Sequence, residues 1–514
     1  MKRFLIYCLL MIMSLCSLFL INSCGEPNDE GNTGIAFLSN GDGTCRVEAA
    51  KKFCAAGNII IPDTSPSGEK VTSISKNGFS HCDNLKSVIV SEGIVEIGEQ
   101  AFYGCPQLSS ISLPKGLETI GKQAFGKCTR LKSISIPDSV LTINEYTFME
   151  CTGLESATLP NSIIRIGYNA FSDCSSLKNI NIPQSVTSIG SSAFSGCSSL
   201  ESIVIPNVMT KIDSRTFENC TLLKNVTFGK YVANIGEYAF AGCSKLTELR
   251  IPDSVTTIQR YAFKDCSRLA TVSIGNGVSK LENNIFYNCN NIVSIELGKS
   301  VKSIGASEFQ HCNKLVEVIN HSSLYIREGD SSNGYIGKVA KTIHTGTSKI
   351  KNYNDYLLLS LTGMQYLVGY VGDSKILQLI DYNGANYEIC DYAFYGLDEI
   401  TEVFISEKVT SIGAMAFGLC ESITNVNLGN NVRTIGQEAF WHCHSLDNVV
   451  IPASVKTIKA NAFGSCRSLK NVTFTNSNGW QANSIELESS ILQNERTAAA
   501  YLTDNYLFSV WTRK

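Results

Sequence analysis

The sequence predicts a β-rich solenoid in which short coils stack on one another. Phenylalanines recur every 23 residues, cysteines recur in register with them, and each unit ends in alternating apolar residues. Self-similarity at a fixed period is the signature of solenoids and related repeat proteins. The spacing therefore predicts eleven repeat units, then an interruption of the period, then four more units. The phenylalanines are Phe79, Phe102, Phe125, Phe148, Phe171, Phe194, Phe217, Phe240, Phe263, Phe286 and Phe309, then Phe394, Phe417, Phe440 and Phe463.

Each unit reads V-x-x-I-G-x-x-A-F-x-x-C-x-x-L-x-x-I-x-I-P, and residues 186–206 are a clear copy. The alternation in I-x-I predicts a short strand with one buried face, which proline or glycine ends. V-x-x-I-G predicts the opposite side of the coil, where the glycines are expected to turn with positive φ. The Ala-Phe pair predicts a buried stack of rings. The glycines in question are Gly98, Gly121, Gly167, Gly190 and Gly236.

The N-terminus predicts export and a lipid anchor. Met1-Lys2-Arg3 precedes an apolar stretch that ends at Ile21-Asn22-Ser23-Cys24. A membrane-spanning anchor is the alternative, but a positive start and a small-residue end are typical of a signal peptide. The last four residues resemble a bacterial lipobox, which implies that Cys24 carries the lipid. Residues 25–34 are polar and glycine-rich, as in a flexible tether. We therefore expect an exported outer-membrane lipoprotein exposed at the cell surface.

Composition argues against nucleic acid as a partner. The formal net charge is −3, and only 17% of the residues are charged. Proteins that bind nucleic acid through their phosphates carry a basic surface, and this composition supplies none.

Fourteen cysteines occupy one position of the unit, and we expect a ladder of buried thiols. Stacked coils hold neighbouring side chains parallel, whereas a disulfide needs converging Cβ atoms. Scattered disulfides and a metal array are the alternatives. Cys45 and Cys54 precede the first unit and are the candidate disulfide, which would pin an N-terminal cap. The ladder positions are Cys82, Cys105, Cys128, Cys151, Cys174, Cys197, Cys220, Cys243, Cys266, Cys289, Cys312, Cys420, Cys443 and Cys466.

The period is interrupted between Asn320 and Glu388 by a segment rich in Tyr, Gly and Ser. Its pattern of strands and turns predicts a small β insert. Its last part, KILQLIDYNGANYEICDYAF, parallels NIIIPDTSPSGEKVTSISKNGF near the start of the chain, which indicates that the solenoid begins again. The predicted domains are a signal peptide (1–23), a lipid-anchored tether (24–34), an N-terminal cap (35–70), a first repeat block (71–319), the insert (320–385), a second block (386–474) and a C-terminal cap (475–514).

No group of residues predicts catalysis, a cofactor or a metal site. The outward positions of I-x-I are mostly Ser, Thr and β-branched residues, without the paired nucleophile and base that catalysis needs. Trp441-His442-Cys443-His444 is the only histidine cluster, and we expect no metal there because Cys443 belongs to the ladder. The candidate ligand contacts are Tyr335, Tyr366, Tyr370 and Trp441, since these residue types give large contact area at low entropy cost. Alternatively, the tyrosines pack the core of the insert.

The repeated unit resembles the BspA-like leucine-rich repeat of bacterial surface proteins. The resemblance rests on copies such as L-x-x-I-x-I-P-x-x-V-x-x-I at residues 131–143 and on the recurrent A-F-x-x-C. It implies a leucine-rich-repeat solenoid used for extracellular recognition, in two blocks joined by the insert. From it we expect a non-enzymatic lipoprotein that binds proteins, either of host matrix or of other bacteria. The alternative is a glycan-binding lipoprotein that uses the tyrosine-rich insert.

Overall fold

The computed structural model describes residues 34–50 and 57–513. The predicted signal peptide, the lipidation residue Cys24, the tether up to residue 33 and Cys54 lie outside the described residues.

The chain winds in 23-residue coils, which confirms the predicted solenoid. Each coil adds one short strand to a front face and another to a back face, and neighbouring strands are parallel. The pairing joins positions one unit apart, such as Ser202 with Asn225. The front strands are Asn58–Ile61, Ser87–Val90, Ser110–Ser112, Ser133–Ser135, Ser156–Thr158, Asn179–Ile180, Ser202–Val204, Asn225–Thr227, Glu248–Ile251, Thr271–Ile274, Ser294–Leu297, Glu317–Asn320, Thr342–His344, Ile376–Gln378, Glu402–Phe404, Asn425–Asn427, Asn448–Ile451 and Asn471–Phe474.

The back strands are two to five residues long. They are Lys70–Ile74, Glu96–Ile97, Thr119–Ile120, Thr142–Ile143, Arg165–Ile166, Ser188–Ile189, Lys211–Ile212, Asn234–Ile235, Thr257–Ile258, Lys280–Leu281, Ser303–Ile304, Tyr387–Ile389, Val409–Ile412, Thr434–Ile435 and Thr457–Ile458. Their isoleucines point inward and meet the side chains of the front strands in the core.

Between the two faces lies the predicted stack of phenylalanine rings. Phe102 and Phe125 are fully buried and nearly parallel, with ring centroids 5.6 Å apart. Beside the rings runs the thiol ladder, in which twelve sulfurs donate to a phenylalanine carbonyl of the preceding coil. Cys128 Sγ, for example, lies 3.1 Å from the carbonyl oxygen of Phe102. Cys312 donates instead to the carbonyl of Cys289. Backbone carbonyls therefore satisfy these buried thiols.

The glycine of V-x-x-I-G was predicted to have a positive φ, but the structure requires it for the close approach of successive coils. Positive φ falls two residues later, for example at Gln100 and Ser192, and not at Gly98 or Gly190. A Cβ atom on Gly190 would lie 2.6 Å from the backbone nitrogen of Tyr168 in the preceding coil. Glycine therefore allows close approach of successive coils here, and the prediction of positive φ at this position was wrong.

The two ends of the described chain are closed by antiparallel strands. Ile35–Ser39 pairs with Thr44–Ala49, which lies parallel to the first back strand. At the other end, Trp511–Arg513 pairs with Thr457–Ile458 and with Trp480–Ala482, which also pairs with Ile485–Glu486. The helices Ser489–Leu492 and Glu495–Ala500 and the π-helical turn Tyr501–Asn505 complete this end. Such closing elements shield the apolar edges of a solenoid.

The interrupted segment contains a 3-10 turn, Asn333–Tyr335, and three antiparallel strands. The strands are Ile350–Tyr353, Tyr356–Leu361 and Met364–Tyr370, and we call the last two the insert hairpin. Met364–Tyr370 lies parallel to Tyr387–Ile389. The hairpin thus precedes the later coils as the N-terminal hairpin precedes the earlier ones.

Candidate functional site

The front face presents two rows of outward side chains, one on each side of an inward-pointing residue. From residue 58 to residue 227 neither row contains a charged residue, and all members except Ser87 are exposed. Ile60, Ile89 and Val204 are 64%, 50% and 51% exposed. We call this surface the uncharged strand face. Its residues are Asn58, Ile60, Ser87, Ile89, Ser110, Ser112, Ser133, Ser135, Ser156, Thr158, Asn179, Asn181, Ser202, Val204, Asn225 and Thr227.

The insert hairpin packs on the flank of the next coils. Ala270, Val293 and Val316 occupy the position that follows Leu or Ile in the unit, and they are buried in one cluster with Leu357 and Val368 of the hairpin. The eight preceding coils have polar residues at this position, so the apolar change marks the docking site. Those polar residues are Lys86, Ser109, Lys132, Glu155, Lys178, Glu201, Lys224 and Thr247.

Ion pairs surround this apolar contact. Asp373, which follows the hairpin, lies 3.1 Å from Lys224 Nζ and 2.9 Å from Lys245 Nζ, and it also pairs with Arg268. A second nitrogen of Arg268 lies 2.9 Å from Glu399 Oε2. The hydrogen bond from Lys245, with the other nearby cations, holds the pKa of Asp373 well below its usual range. These contacts fix the insert against the earlier coils at sequence separations above 100 residues.

A buried lysine makes a further connection. Lys314 Nζ donates to the carbonyl oxygens of Tyr395, at 3.1 Å, and Ala393, at 3.4 Å, and to Asn291 Oδ1. Burial lowers the pKa of Lys314 to about 7. This side chain therefore ties the last coil before the insert to the first coil after it.

A cleft of about 460 Å³ lies between the front face and the insert. Its floor comes from four front strands and includes Glu248, Arg250 and Glu296, whereas Asn352 and Leu357 belong to its insert side. Charged residues thus appear on the front face where the insert overhangs it. Sequence reasoning missed this cleft because it depends on where the hairpin docks.

Two carboxylates are paired with histidines in this region, Glu296 in the lining of the cleft and Glu317 in the protein interior. Glu317 is fully buried, accepts hydrogen bonds from Ser294, Ser348 and the backbone nitrogen of Lys349, and lies 3.2 Å from His344 Nε2. Glu296 similarly lies 3.1 Å from His321. Because each oxygen of Glu317 already has partners, this carboxylate is a structural anchor for the insert.

The four predicted ligand contacts do not form one surface. Tyr366 and Tyr370 are half-buried and pack against the core of the second group of coils. The hydroxyl of Tyr370 accepts a hydrogen bond from the backbone nitrogen of Ser374 at 3.1 Å. Tyr335 is half-buried in the 3-10 turn and lies beneath Lys338. Their role as ligand contacts stays a prediction.

The fourth predicted contact, Trp441, lies beside a cluster of polar side chains. Its ring centroid is 3.8 Å from that of His442, whose ring lies 4.8 Å from that of His444. Glu421 Oε2 is 3.6 Å from His444 Nδ1. Burial, followed by the neighbouring His444, lowers the pKa of His442. The structure thus adds a carboxylate to the histidine cluster of the sequence.

The cysteines largely follow the predicted ladder. Thirteen of the fourteen ladder cysteines are buried free thiols, as predicted, but Cys82 is disulfide-bonded. Cys45 is a fully buried free thiol on the strand Thr44–Ala49. It therefore does not form the predicted bond to Cys54, which itself lies outside the described residues. The inward orientation of Cys45 explains the difference, because its sulfur fills the core beneath the first back strand.

Within residues 34–50 and 57–513, no helix has the length and apolar character needed to cross a membrane.

Solved structures similar to this chain are leucine-rich-repeat proteins. One from Bacteroides ovatus is 25% identical, with 87% of this chain and 94% of that chain covered and a TM-score of 0.47. One from Treponema pallidum is 26% identical, covering 43% and 91%, with a TM-score of 0.31. A cell surface protein from Faecalibacterium prausnitzii is 20% identical, covering 89% and 97%, with a TM-score of 0.25. No curated protein matches the chain.

The sequence model of the BspA type leucine-rich repeat region matches residues 52–160, 141–269, 233–331 and 377–495. These segments include nearly all of the coils and well over half of the chain. Proteins built from such repeats generally act as binding scaffolds for other proteins. The chain belongs to the BspA-type leucine-rich-repeat family.

Proposed function

We propose that this protein is a non-enzymatic, surface-exposed outer-membrane lipoprotein, anchored through Cys24, that adheres to host matrix proteins or to other bacteria. The observation that carries the proposal is the uncharged strand face. Sixteen outward side chains over eight strands contain no charge. Charged residues are depleted at the centres of protein interfaces, so this composition favours a protein partner.

The chemistry of the face suits adaptable recognition. Its serines and asparagines can both donate and accept hydrogen bonds, as such residues do in the binding loops of antibodies. Ile60, Ile89 and Val204 add exposed apolar area at three places along the same rows. Because no ion pair is available, binding at this face should depend only weakly on salt.

The test places charge on the face. Residues 25–514, which lack the anchor residue Cys24, are offered to immobilised extracellular matrix proteins and to whole bacterial cells. The double variant Ile89→Lys/Val204→Lys should lose binding, because each lysine would need to be desolvated in the interface. The control is Ile376→Lys/Val450→Lys, at outward positions of two later front strands, where the residues are 45% and 47% exposed. Equal binding by both variants, or no binding by the unaltered chain, would contradict the proposal.

The anchor and the orientation require separate measurements. Cells fed a labelled fatty acid should incorporate it into the protein, and Cys24→Ala should prevent this. Protease added to intact cells should remove the protein if it faces outward. Labelling without protease sensitivity would place a lipoprotein on the periplasmic side and contradict the adhesin proposal.

A glycan-binding function is the alternative, and the cleft beneath the insert hairpin favours it. Glu248, Arg250 and Asn352 line this cleft and offer the paired donors and acceptors that sugar hydroxyls need. A glycan array probed with the unaltered chain and with Arg250→Ala/Asn352→Ala tests this alternative. Binding that both proteins share, or an array without signal, would remove the cleft as a glycan site.

A further inference from the structure

The repeat brings Glu421 directly beneath His444. Both residues follow a ladder cysteine and are 23 positions apart, so they occupy the same place on adjacent coils. The backbone nitrogen of Ser445 donates to the carbonyl of Glu421 at 3.1 Å, which sets this register. His442 lies two residues earlier in the same turn, and its ring faces that of His444. Three side chains that bind metals well therefore lie at one point on the surface.

The scaffold holds the two imidazoles in place. The backbone nitrogen of His442 donates to the carbonyl of Gly464 at 2.9 Å, and that of His444 donates to the carbonyl of His442 at 2.8 Å. Between them, Cys443 points inward and donates its thiol to the carbonyl of Phe417. Cys443 therefore belongs to the core and not to the surface cluster, and it holds the two flanking histidines in place. Such preorganisation favours binding.

The imidazole of His444 lacks hydrogen-bond partners. Its Nδ1 is 3.6 Å from Glu421 Oε2, which is longer than a normal hydrogen bond. Its Nε2 is buried and has no partner among the described residues. An unsatisfied buried polar group costs free energy. A bound ion would satisfy the ring through one of these nitrogens.

We propose that Glu421, His442 and His444 bind one divalent transition-metal ion of the zinc class. One ligand atom from each residue can be chosen so that all three lie within 4.8 Å of one another. Two ligands of a tetrahedral zinc ion stand about 3.4 Å apart, given zinc–ligand distances of about 2.0–2.1 Å. Small side-chain rotations can bring the ligand atoms from within 4.8 Å to this shorter separation. The two histidines have room to rotate because they are only half-buried.

The donor set selects the class of ion. Two imidazoles and one carboxylate suit Zn²⁺, Ni²⁺ or Cu²⁺, whereas Ca²⁺ and Mg²⁺ require mostly oxygen ligands. Three protein ligands leave a position of a tetrahedral ion for water. Arg467 occupies the position of His444 in the next coil and is exposed. Its positive charge weakens the site, so we expect micromolar rather than nanomolar affinity.

The test is a calorimetric titration of tag-free residues 25–514 with Zn²⁺. We expect His442→Gln/His444→Gln to bind one ion fewer than the unaltered chain, and Arg467→Ala to bind that ion several-fold more tightly. The matched control is His311→Gln, because His311 precedes a ladder cysteine like His442 but is followed by Asn313. Loss of a ligand should weaken Zn²⁺ binding by more than ~100-fold. Even the loss of a residue that only hydrogen-bonds to a metal ligand lowers the affinity for the metal by ~10–100-fold.

Two results would overturn the proposal: no Zn²⁺ binding by the unaltered chain, or the same number of ions bound by the double histidine variant. Co²⁺ gives an independent readout on the unaltered chain, because histidine-bound tetrahedral Co²⁺ absorbs visible light. Quenching of Trp441 fluorescence by Cu²⁺ locates the ion, since the indole touches His442 and the other two tryptophans, Trp480 and Trp511, are buried at the C-terminal end. Unchanged fluorescence in Trp441→Phe relative to its own metal-free state would support this placement.

Discussion

Asp373 accepts a 2.9 Å hydrogen bond from the ammonium of Lys245, which lies 128 residues earlier in the chain. Lys224 and Arg268 approach the same carboxylate from neighbouring coils. Three successive coils therefore present cations to one residue at the end of the insert hairpin. The ion pairs hold the insert hairpin against these coils, while the apolar contact beside them supplies the buried area.

Asp373→Asn should loosen the insert only modestly. The Asp373 side chain is 51% exposed, so solvent screens its ion pairs and we expect a loss of about 1 kcal/mol or less. Hydrogen exchange of residues 356–370 should become faster in the variant at low salt, and the difference should shrink at high salt. Glu201→Gln, at an exposed position of a coil that the insert does not cover, is the control. A salt-independent effect would show that the ion pairs do not position the insert.

Val293→Lys should detach the insert hairpin. Val293 is 1% exposed and lies against Gly369, where a Cβ atom would be 3.4 Å from Val293 Cγ1. A lysine there would bury an unpaired charge, which costs far more than the lost apolar contact. Protease sensitivity of residues 350–370 should rise strongly. Ser109→Lys introduces a lysine at the same position of a coil that the insert does not cover, and it should leave protease sensitivity unaltered. A strong effect of Ser109→Lys would contradict the docking interpretation.

The repeated coil could be predicted from the sequence, but the packing of the insert hairpin against the earlier coils could not. The 23-residue period was sufficient for the strands, the phenylalanine stack and most of the thiol ladder, because each depends only on neighbouring coils. Docking of the insert depends on contacts between distant segments. Its signal was nevertheless present, since Ala270, Val293 and Val316 replace polar residues at one position of the unit.

The candidate metal site illustrates the same distinction. The histidine pair is visible in the sequence, but its carboxylate lies one period earlier, and only stacking brings Glu421 to His444. Comparing equivalent positions of adjacent units would have found it. The close approach at Gly190 could not be separated from a positive φ by sequence alone, because glycine serves both purposes.

Cys197→Ala should destabilise the solenoid more than Cys197→Ser. Cys197 is fully buried and donates to the carbonyl of Phe171 at 3.2 Å. Alanine removes the donor and leaves a small cavity, for an expected loss of about 1–3 kcal/mol, whereas serine retains a donor. Chemical denaturation of the two variants gives the order, and the reverse order would show that the thiol acts by volume alone.

The ladder thiols should react only after unfolding. Burial raises the pKa of Cys151 to about 12, and the thiolate is the reactive form. An aromatic disulfide reagent should therefore label few thiols in the folded chain and the ladder thiols in denaturant. Rapid labelling of Cys151 in the folded protein would contradict this packing.

Glu308 should make stability depend on pH. It occupies the position of Ala before Phe309, is 4% exposed, and accepts hydrogen bonds from the backbone nitrogens of Ile285 and Phe286. Burial raises its pKa from 4.5 to about 8. Between these two values the folded chain retains a proton that the unfolded chain has released. The free energy of unfolding should therefore fall as pH rises from about 4.5 to about 8.

Glu308→Gln isolates this effect, because glutamine is isosteric with the protonated acid and does not titrate. The melting temperature of the unaltered chain should fall relative to that of Glu308→Gln between about pH 5 and about pH 8, by several degrees. Glu118→Gln changes an exposed glutamate and should show no such divergence. Parallel pH curves for the unaltered chain and Glu308→Gln would mean that Glu308 ionises in the folded state near its usual pKa. In that case its two backbone donors would outweigh the cost of burial.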